Sequence, residues 1–224
     1  IMLGNSKPKK IVLSELQNKA LDEINLKFKS NNIVLFKGVT SSGKTEIYIS
    51  LIKKYLKHSN QILFLVPEIA LTTQLVTRLS KFFPKNLIVY HSGLNINQRA
   101  ELWNDLVSTN KTKIIIGARS SIFLPFTNLK LIIVDEEHEV SYKQFDPSPR
   151  YNARDASIIL SNIHGANILF GTATPSLESY LNAKIADKFA YVELNQRYKN
   201  IPMPEIQLVD MLEKMNNHKK YGLF

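Results

Sequence analysis

The octet Gly38-Val39-Thr40-Ser41-Ser42-Gly43-Lys44-Thr45 fits the pattern G-x-x-x-x-G-K-[ST] and lies between an apolar run and a helical one. Before it, Ile33-Val34-Leu35-Phe36 is β-branched and aromatic, as a buried strand requires. After it, between Glu46 and Lys57, Ile47, Ile49, Leu51, Ile52, Tyr55 and Leu56 recur close to the helical period and predict an amphipathic helix. A strand, a glycine-bearing loop and a helix start, in that order, leave the backbone N–H groups of residues 39 to 45 without intrahelical partners, so they can converge on an anion. The octet therefore reads as a cradle for the phosphates of a nucleotide.

The rest of the chain supplies a sheet for that unit to stand in. Ser14-Glu15-Leu16-Gln17 matches a capping box, and Leu16, Ala20, Leu21, Ile24 and Phe28 trace one face of a helix predicted from Ser14 to Lys29. Strands are expected at Ile62–Val66, Leu87–Tyr90, Lys113–Ile116, Leu131–Val134 and Asn167–Phe170. Helices are expected at Ile69–Phe83, Asn97–Thr109, Tyr151–Ile163 and Pro175–Lys184. Strands of unbroken Ile, Leu and Val are buried on both faces, so the alternation predicts an α/β fold with a mostly parallel central sheet and helices on both sides. From Tyr191 the pattern loosens, and Pro202 and Pro204 precede Glu205–Val209 as in a connection to another domain. Residues 1–12, with Lys7, Lys9 and Lys10 around Pro8, read as a linker. The expected layout is a linker at 1–12, one domain at 13–195 and a connection at 196–224. The opening Ile1-Met2-Leu3-Gly4 and the closing Tyr221-Gly222-Leu223-Phe224 read as cuts from a longer chain.

Composition narrows the partners. A net charge of +10 suits an acidic partner such as nucleic acid, although a lysine-rich protein with no such partner has the same balance. The absence of cysteine excludes disulfides and cysteine-ligated zinc, so no zinc is expected here. The apolar runs are shorter than the ~20 residues of a membrane span, and no signal peptide opens the chain. The expectation is a soluble, cytoplasmic protein with no membrane partner.

A second fixed point is Asp135-Glu136-Glu137-His138, directly after the strand Leu131–Val134. A carboxylate at the carboxyl end of a parallel strand faces the crevice in which open α/β sheets bind ligands. Hydrolysis of ATP needs Mg²⁺ held by a loop hydroxyl and a carboxylate on a neighbouring strand, and Thr45 and Asp135 can supply that pair. Glu136, beside the metal ligand, is the candidate to deprotonate or orient the attacking water. Lys44 would neutralise β and γ phosphate charge, and Gly38 and Gly43 would let the backbone bend and approach. A lone glycine-rich turn before a helix can be purely structural; its pairing with Asp135-Glu136 after a second buried strand favours nucleotide binding.

With Glu46 and these two motifs, the chain carries Leu65-Val66-Pro67-Glu68-Ile69-Ala70-Leu71-Thr72, His91-Ser92-Gly93-Leu94, Gly117-Ala118-Arg119-Ser120, Ser141-Tyr142-Lys143-Gln144, Arg150-Tyr151-Asn152-Ala153-Arg154-Asp155 and Gly171-Thr172-Ala173-Thr174-Pro175. In this order across about residues 13 to 195, the set resembles the first motor lobe of a superfamily-2 helicase of the DExH type, nearest to the helicases of replication restart. The resemblance implies a RecA-like P-loop NTPase domain that couples ATP hydrolysis to movement along DNA and its unwinding at forks. It implies that Gln17 reads adenine, with the capping box as its plainer role, and that residues 38–46 line the nucleotide. It implies DNA contacts from Pro67, Glu68, Arg119, Ser120, Tyr142, Lys143 and Arg150, although turn chemistry or core packing would explain several of them equally. His138, Thr172 and Thr174 would couple the nucleotide site to lobe movement. His91 lacks partners at metal spacing, so a turn or core role is expected. The implied partners are single-stranded and forked DNA, a second lobe of the same chain, and other primosome proteins and single-strand-binding protein. The family's upstream DNA-binding region, cysteine-rich zinc insertion and second lobe have no counterpart in these residues.

Two other readings remain open at this level: a double-strand DNA translocase that does not separate strands, and a nucleotide sensor that never turns over. A water-activating Glu136 beside Asp135 argues against the sensor, which needs only the metal ligand. A P-loop kinase would need an acceptor site and lid arginines that the sequence does not offer.

Overall fold

The computed structural model describes residues 11–56, 59–68, 73–108 and 111–202. In chain order the elements are α1 (Glu15–Lys27), β1 (Ile33–Gly38), α2 (Lys44–Tyr55), β2 (Gln61–Leu65), α3 (Thr73–Ser80), β3 (Leu87–Tyr90), α4 (Ile96–Ser108), β4 (Lys113–Gly117), β5 (Leu129–Asp135), β6 (Lys143–Gln144), β7 (Tyr151–Asn152), α5 (Ala153–His164), β8 (Asn167–Thr172), α6 (Leu177–Lys184) and β9 (Ala190–Leu194). Seven strands form one sheet in the order β3-β4-β2-β5-β8-β1-β9, with every neighbouring pair parallel. The expected α/β class is the observed one.

Side-chain alternation along each strand divides the core into two layers. Val34 and Phe36 join Ala20, Ile24, Ile47, Leu51 and Leu79, from α1, α2 and α3. Ile33 and Leu35 face the other way, toward Leu106, Ala153 and Ala183 of α4, α5 and α6. This is the period of 2 expressed in a sheet covered on both sides, and it explains why β2 and β4 are buried at every position.

The sequence missed β9. Its burial is partial, and Tyr191 and Glu193 interrupt its apolar run. It nevertheless pairs with β1 from Val34↔Ala190 to Gly38↔Leu194, and Lys37 bonds Glu193 across the pair at 2.7 Å. The loosening read from Tyr191 onward therefore begins one strand later. Most helix boundaries fall within a few residues of those expected. Of the helix expected at 69–83, residues 73–80 are helical, and 69–72 lie outside the described residues, as do Lys7, Lys9, Lys10 and 205–209. Residues 119–123, which overlap the Gly117-Ala118-Arg119-Ser120 segment, form a short 3-10 helix. Among the described residues no helix is long and apolar enough to cross a membrane.

Candidate functional site

The loop that ends β1 and begins α2 is shaped by two left-handed residues, Ser41 (φ 63) and Gly43 (φ 84). Gly43 is the N-cap of α2 and gives its first turn no side-chain bond, which leaves the leading amides of the helix open to an anion. A Cβ at Gly43 would overlap the side-chain amide of Gln17, and one at Gly38 would press on Lys44 and on the Ser42 hydroxyl at 2.9 Å. The Ser42 hydroxyl is buried and has no hydrogen-bond partner among the described residues. Open helix amides, an unpaired hydroxyl and a lysine at the helix start are a donor set that fits a chain of phosphates.

Lys44 Nζ donates to the Gly38 carbonyl at 3.0 Å and lies 3.5 Å from Glu136 Oε1. The phosphate loop and the Asp135–His138 turn, 91 residues apart in sequence at Lys44 and Asp135, thus meet at the carboxyl ends of β1 and β5. Asp135 closes β5, and its Oδ1 accepts from the Tyr48 phenol at 2.9 Å and from the Glu136 amide at 3.1 Å. Burial, and then the neighbouring Glu136, push the Asp135 carboxyl up to about 6. Burial and Asp135 together raise the Tyr48 phenol well above its ordinary value, so it remains a donor. Thr45, the expected second metal-holding group, sits on α2 between Lys44 and Tyr48, both of which touch the Asp135-Glu136 pair.

Glu136 is left-handed (φ 47), a costly state for a residue with a side chain. The turn is held by Glu137 N to the Gly171 carbonyl at 3.2 Å and Glu139 N to the Glu136 carbonyl at 2.9 Å. It aims the Glu136 carboxylate between Lys44 and His138, whose Nδ1 is 3.7 Å from Oε2. His138 also lies 2.8 Å from the Thr172 hydroxyl through Nδ1 and 3.4 Å from that of Thr174 through Nε2. The hydroxyls of the Gly171–Pro175 motif thus meet His138, while the cap of α6 is Ser176.

Glu137 has a different task. It is buried, and it accepts from the Ser176 amide (2.7 Å), the Ser176 hydroxyl (3.0 Å) and the Ser179 hydroxyl (2.8 Å), with Arg154 Nη1 3.5 Å away. This carboxylate fastens the turn to α6 and α5. Sequence reading gave it no role, and nothing local marks it.

Gln17 completes the capping box with Ser14, and its amide nitrogen donates to the Ser42 carbonyl at 3.0 Å. It lines two clefts that flank the loop. One, of about 380 Å³, is bounded by Ser42, Arg197 and Tyr198. The other, of about 430 Å³, is bounded by Val12, Gly43, Glu46, Phe82 and Tyr198. The chain returns to the loop after β9: Val39 N donates to the Leu194 carbonyl (3.1 Å) and Tyr198 N to the Ser41 carbonyl (2.9 Å). Glu46 pairs with Arg78 of α3.

The residues expected at DNA divide. Ser120, Lys143 and Arg150 are exposed, and Lys143 Nζ rides 4.8 Å above the exposed Phe145 ring. Arg119 Nη1 donates to the Ser141 carbonyl at 3.1 Å, tying the 3-10 turn to the 140–142 turn that precedes β6 and the loop between β6 and β7. That loop closes on Gln144, whose amide donates to the carbonyls of Pro147 (2.8 Å) and Pro149 (3.0 Å). Tyr142 is buried instead, and its hydroxyl donates to the Asp135 carbonyl at 2.6 Å, so its ring presents no stacking face. Pro67 is buried and Glu68 exposed, the latter accepting from Ser92 at 3.3 Å; Thr72 lies outside the described residues. His91 shapes a turn, its Nδ1 accepting from the Gly93 amide at 3.1 Å.

The sequence matches the DEAD/DEAH box helicase family over residues 14–183. It is 43% identical over 209 residues to the replication restart protein PriA of Rickettsia felis, an alignment that spans 93% of this chain and 31% of that protein. Against the replication restart protein PriA of Bacillus subtilis the identity is 39% over 213 residues, spanning 94% of this chain and 26% of the relative. The chain therefore spans about a third or less of the length of these relatives. In fold it is similar to RecG bound to a three-way DNA junction, with a TM-score of 0.65 at 21% identity, covering 95% of this chain and 28% of that one.

Proposed function

Since the chain belongs to the DEAD/DEAH box helicase family, we propose that residues 13–195 form the ATP-binding motor lobe of a DNA helicase acting in replication restart. Residues 1–12 would lead in from an upstream region, and 196–224 toward a second lobe. The observation that carries the reading is the meeting of Lys44 with Glu136, and of Tyr48 with Asp135, at the carboxyl ends of the strands. The replication setting follows the naming of the relatives, and the RecG likeness supports the fold.

ATP–Mg²⁺, when bound, supplies the phosphoanhydride to be cleaved and the Lewis acid that polarises it. The residues of the chain do the rest. The amides opening α2 and the Lys44 ammonium hold β and γ phosphate oxygens, with the Ser42 hydroxyl in reach of the same groups. Thr45 and Asp135 would hold the metal, and Glu136 would take the proton of the attacking water. Tyr198 and Gln17 stand beside the loop where a base would lie, which fits an adenine-reading role for Gln17. His138, Thr172 and Thr174 form the path by which occupancy of the site reaches β8 and α6. Arg119, Ser120, Lys143, Phe145 and Arg150 supply cations, a hydroxyl and an aromatic for a DNA strand. Tyr142 connects that surface to Asp135.

In this reading residues 1–224 alone bind nucleotide weakly and turn over little, because the transition-state cation of such motors, worth about 10³ to 10⁵ in rate, would come from a second lobe. The deciding measurement is ATPase activity of the full-length chain with and without forked DNA. DNA should stimulate the parent and leave Lys44→Ala inactive. Full-length rates from residues 1–224 alone would overturn the division of labour, and an ATPase indifferent to DNA would overturn the motor.

A further inference from the structure

We propose that Tyr48 positions the metal-holding carboxylate of Asp135, and that position 171 must be glycine for it to do so. The inference rests on the reading of Asp135 as a Mg²⁺ ligand and deepens it. The phosphate loop and α2 follow β1, Asp135 ends β5, and β8 stands between those two strands. α2 leads from β1 to β2 and packs against β5, so a side chain on its inner face can reach Asp135 above β8. Tyr48 makes the crossing at Gly171, which is in register with Phe36 of β1 on one side and with Asp135 of β5 on the other. A Cβ at Gly171 would overlap the phenol oxygen, so any side chain there closes the passage.

The ring cannot swing away. It is fully buried and edge-packed against Phe36 (centroids 6.4 Å apart) and Phe64 (5.6 Å). Its hydroxyl and the Glu136 amide both bond Oδ1 of Asp135, and no described residue bonds Oδ2. The phenol therefore decides which carboxylate oxygen is occupied and which is left without a partner among the described residues. Partners of this kind orient a metal ligand without touching the metal. A buried tyrosine that had merely found an acceptor would show the same hydrogen bond, so the test must separate metal affinity from packing.

The experiment uses the full-length chain and a fluorescent ADP analogue titrated in EDTA and across a Mg²⁺ series, with DNA-dependent ATPase and melting temperature followed in parallel. Tyr48→Phe keeps the ring and removes the hydroxyl. It should bind the analogue in EDTA as the parent does, while the Mg²⁺ concentration for half-maximal effect rises about tenfold or more, in binding and in ATPase alike. Gly171→Ala keeps the hydroxyl but displaces it, and should shift the Mg²⁺ curve in the same direction. A Tyr48→Phe curve that overlays the parent's, even with a lower melting temperature, overturns the proposal and leaves Tyr48 a core residue. A Gly171→Ala curve that matches the parent overturns the part assigned to Gly171. A parent whose binding ignores Mg²⁺, like an Asp135→Asn control, overturns the metal reading itself and this inference with it.

Discussion

The phosphate loop, after β1, and the Asp135–His138 turn, after β5, meet at the carboxyl ends of the strands and are held in opposite ways. The loop takes its shape from backbone: left-handed Ser41 and Gly43, the bonds from Tyr198 and to Leu194, and the Gln17 amide on the Ser42 carbonyl. Among the described residues its Ser42 hydroxyl has no partner and the helix it opens has no side-chain cap. In the turn every acidic side chain from 135 to 137 is engaged: Asp135 by Tyr48, Glu136 near Lys44 and His138, Glu137 by Ser176, Ser179 and Arg154. An anion cradle must keep donors unspent until its ligand arrives, whereas groups that act on water and metal gain from being aimed beforehand.

The contrast can be broken at several points. Glu136→Gln should leave nucleotide affinity near that of the parent and lower turnover roughly 10²- to 10⁴-fold in the full-length chain; a normal rate would move the water-activating role elsewhere. Glu137→Ala removes the acceptor of Ser176 and Ser179 and loosens Arg154, so urea unfolding should show a loss of about 3 kcal/mol. An unchanged midpoint would mean that α6 docks without this carboxylate. Gln17→Ala opens the capping box and should cost about 1 kcal/mol. If nucleotide affinity falls further than that loss explains, the amide also reads the base.

The smallest effect concerns pH. The folded Asp135 carboxyl, up at about 6, binds more protons than the unfolded one, whose ordinary value is 3.8. Stability from this group is therefore present at low pH and lost as pH rises from about 4 through 6. In Mg²⁺-free buffer Asp135→Asn should be more stable than the parent above pH 6, on the order of 1 kcal/mol after allowance for solvent screening, and converge with it near pH 4. Melting curves across that range check the sign, and a gap that widens on acidification would refute it.

Much of the architecture was legible because it is local. Unbroken apolar runs marked six of the seven sheet strands, and the capping box at Ser14 and Gln17 formed as written. β9 escaped because a short edge strand keeps polar residues on its open face. Tyr142 was read with the aromatic and basic residues of its loop, yet it turned inward, since a loop's sequence carries no period that says which side chains face the core. Tyr48 escaped for a related reason: its partner is 87 residues away, and only the strand order brings them together.

The sequence by itself determined the cradle and its chemistry, because a strand end, five loop residues and a helix start are consecutive and their geometry follows from their own dihedral preferences and unpaired amides. Only the tertiary structure decided how the carboxylates are aimed. The insertion of β8 between β1 and β5, with glycine at the crossing, puts Tyr48 on Asp135, and the docking of α6 puts Ser176 and Ser179 on Glu137. Those contacts join segments far apart in the chain, and they exist only once the strands have taken their places in the sheet.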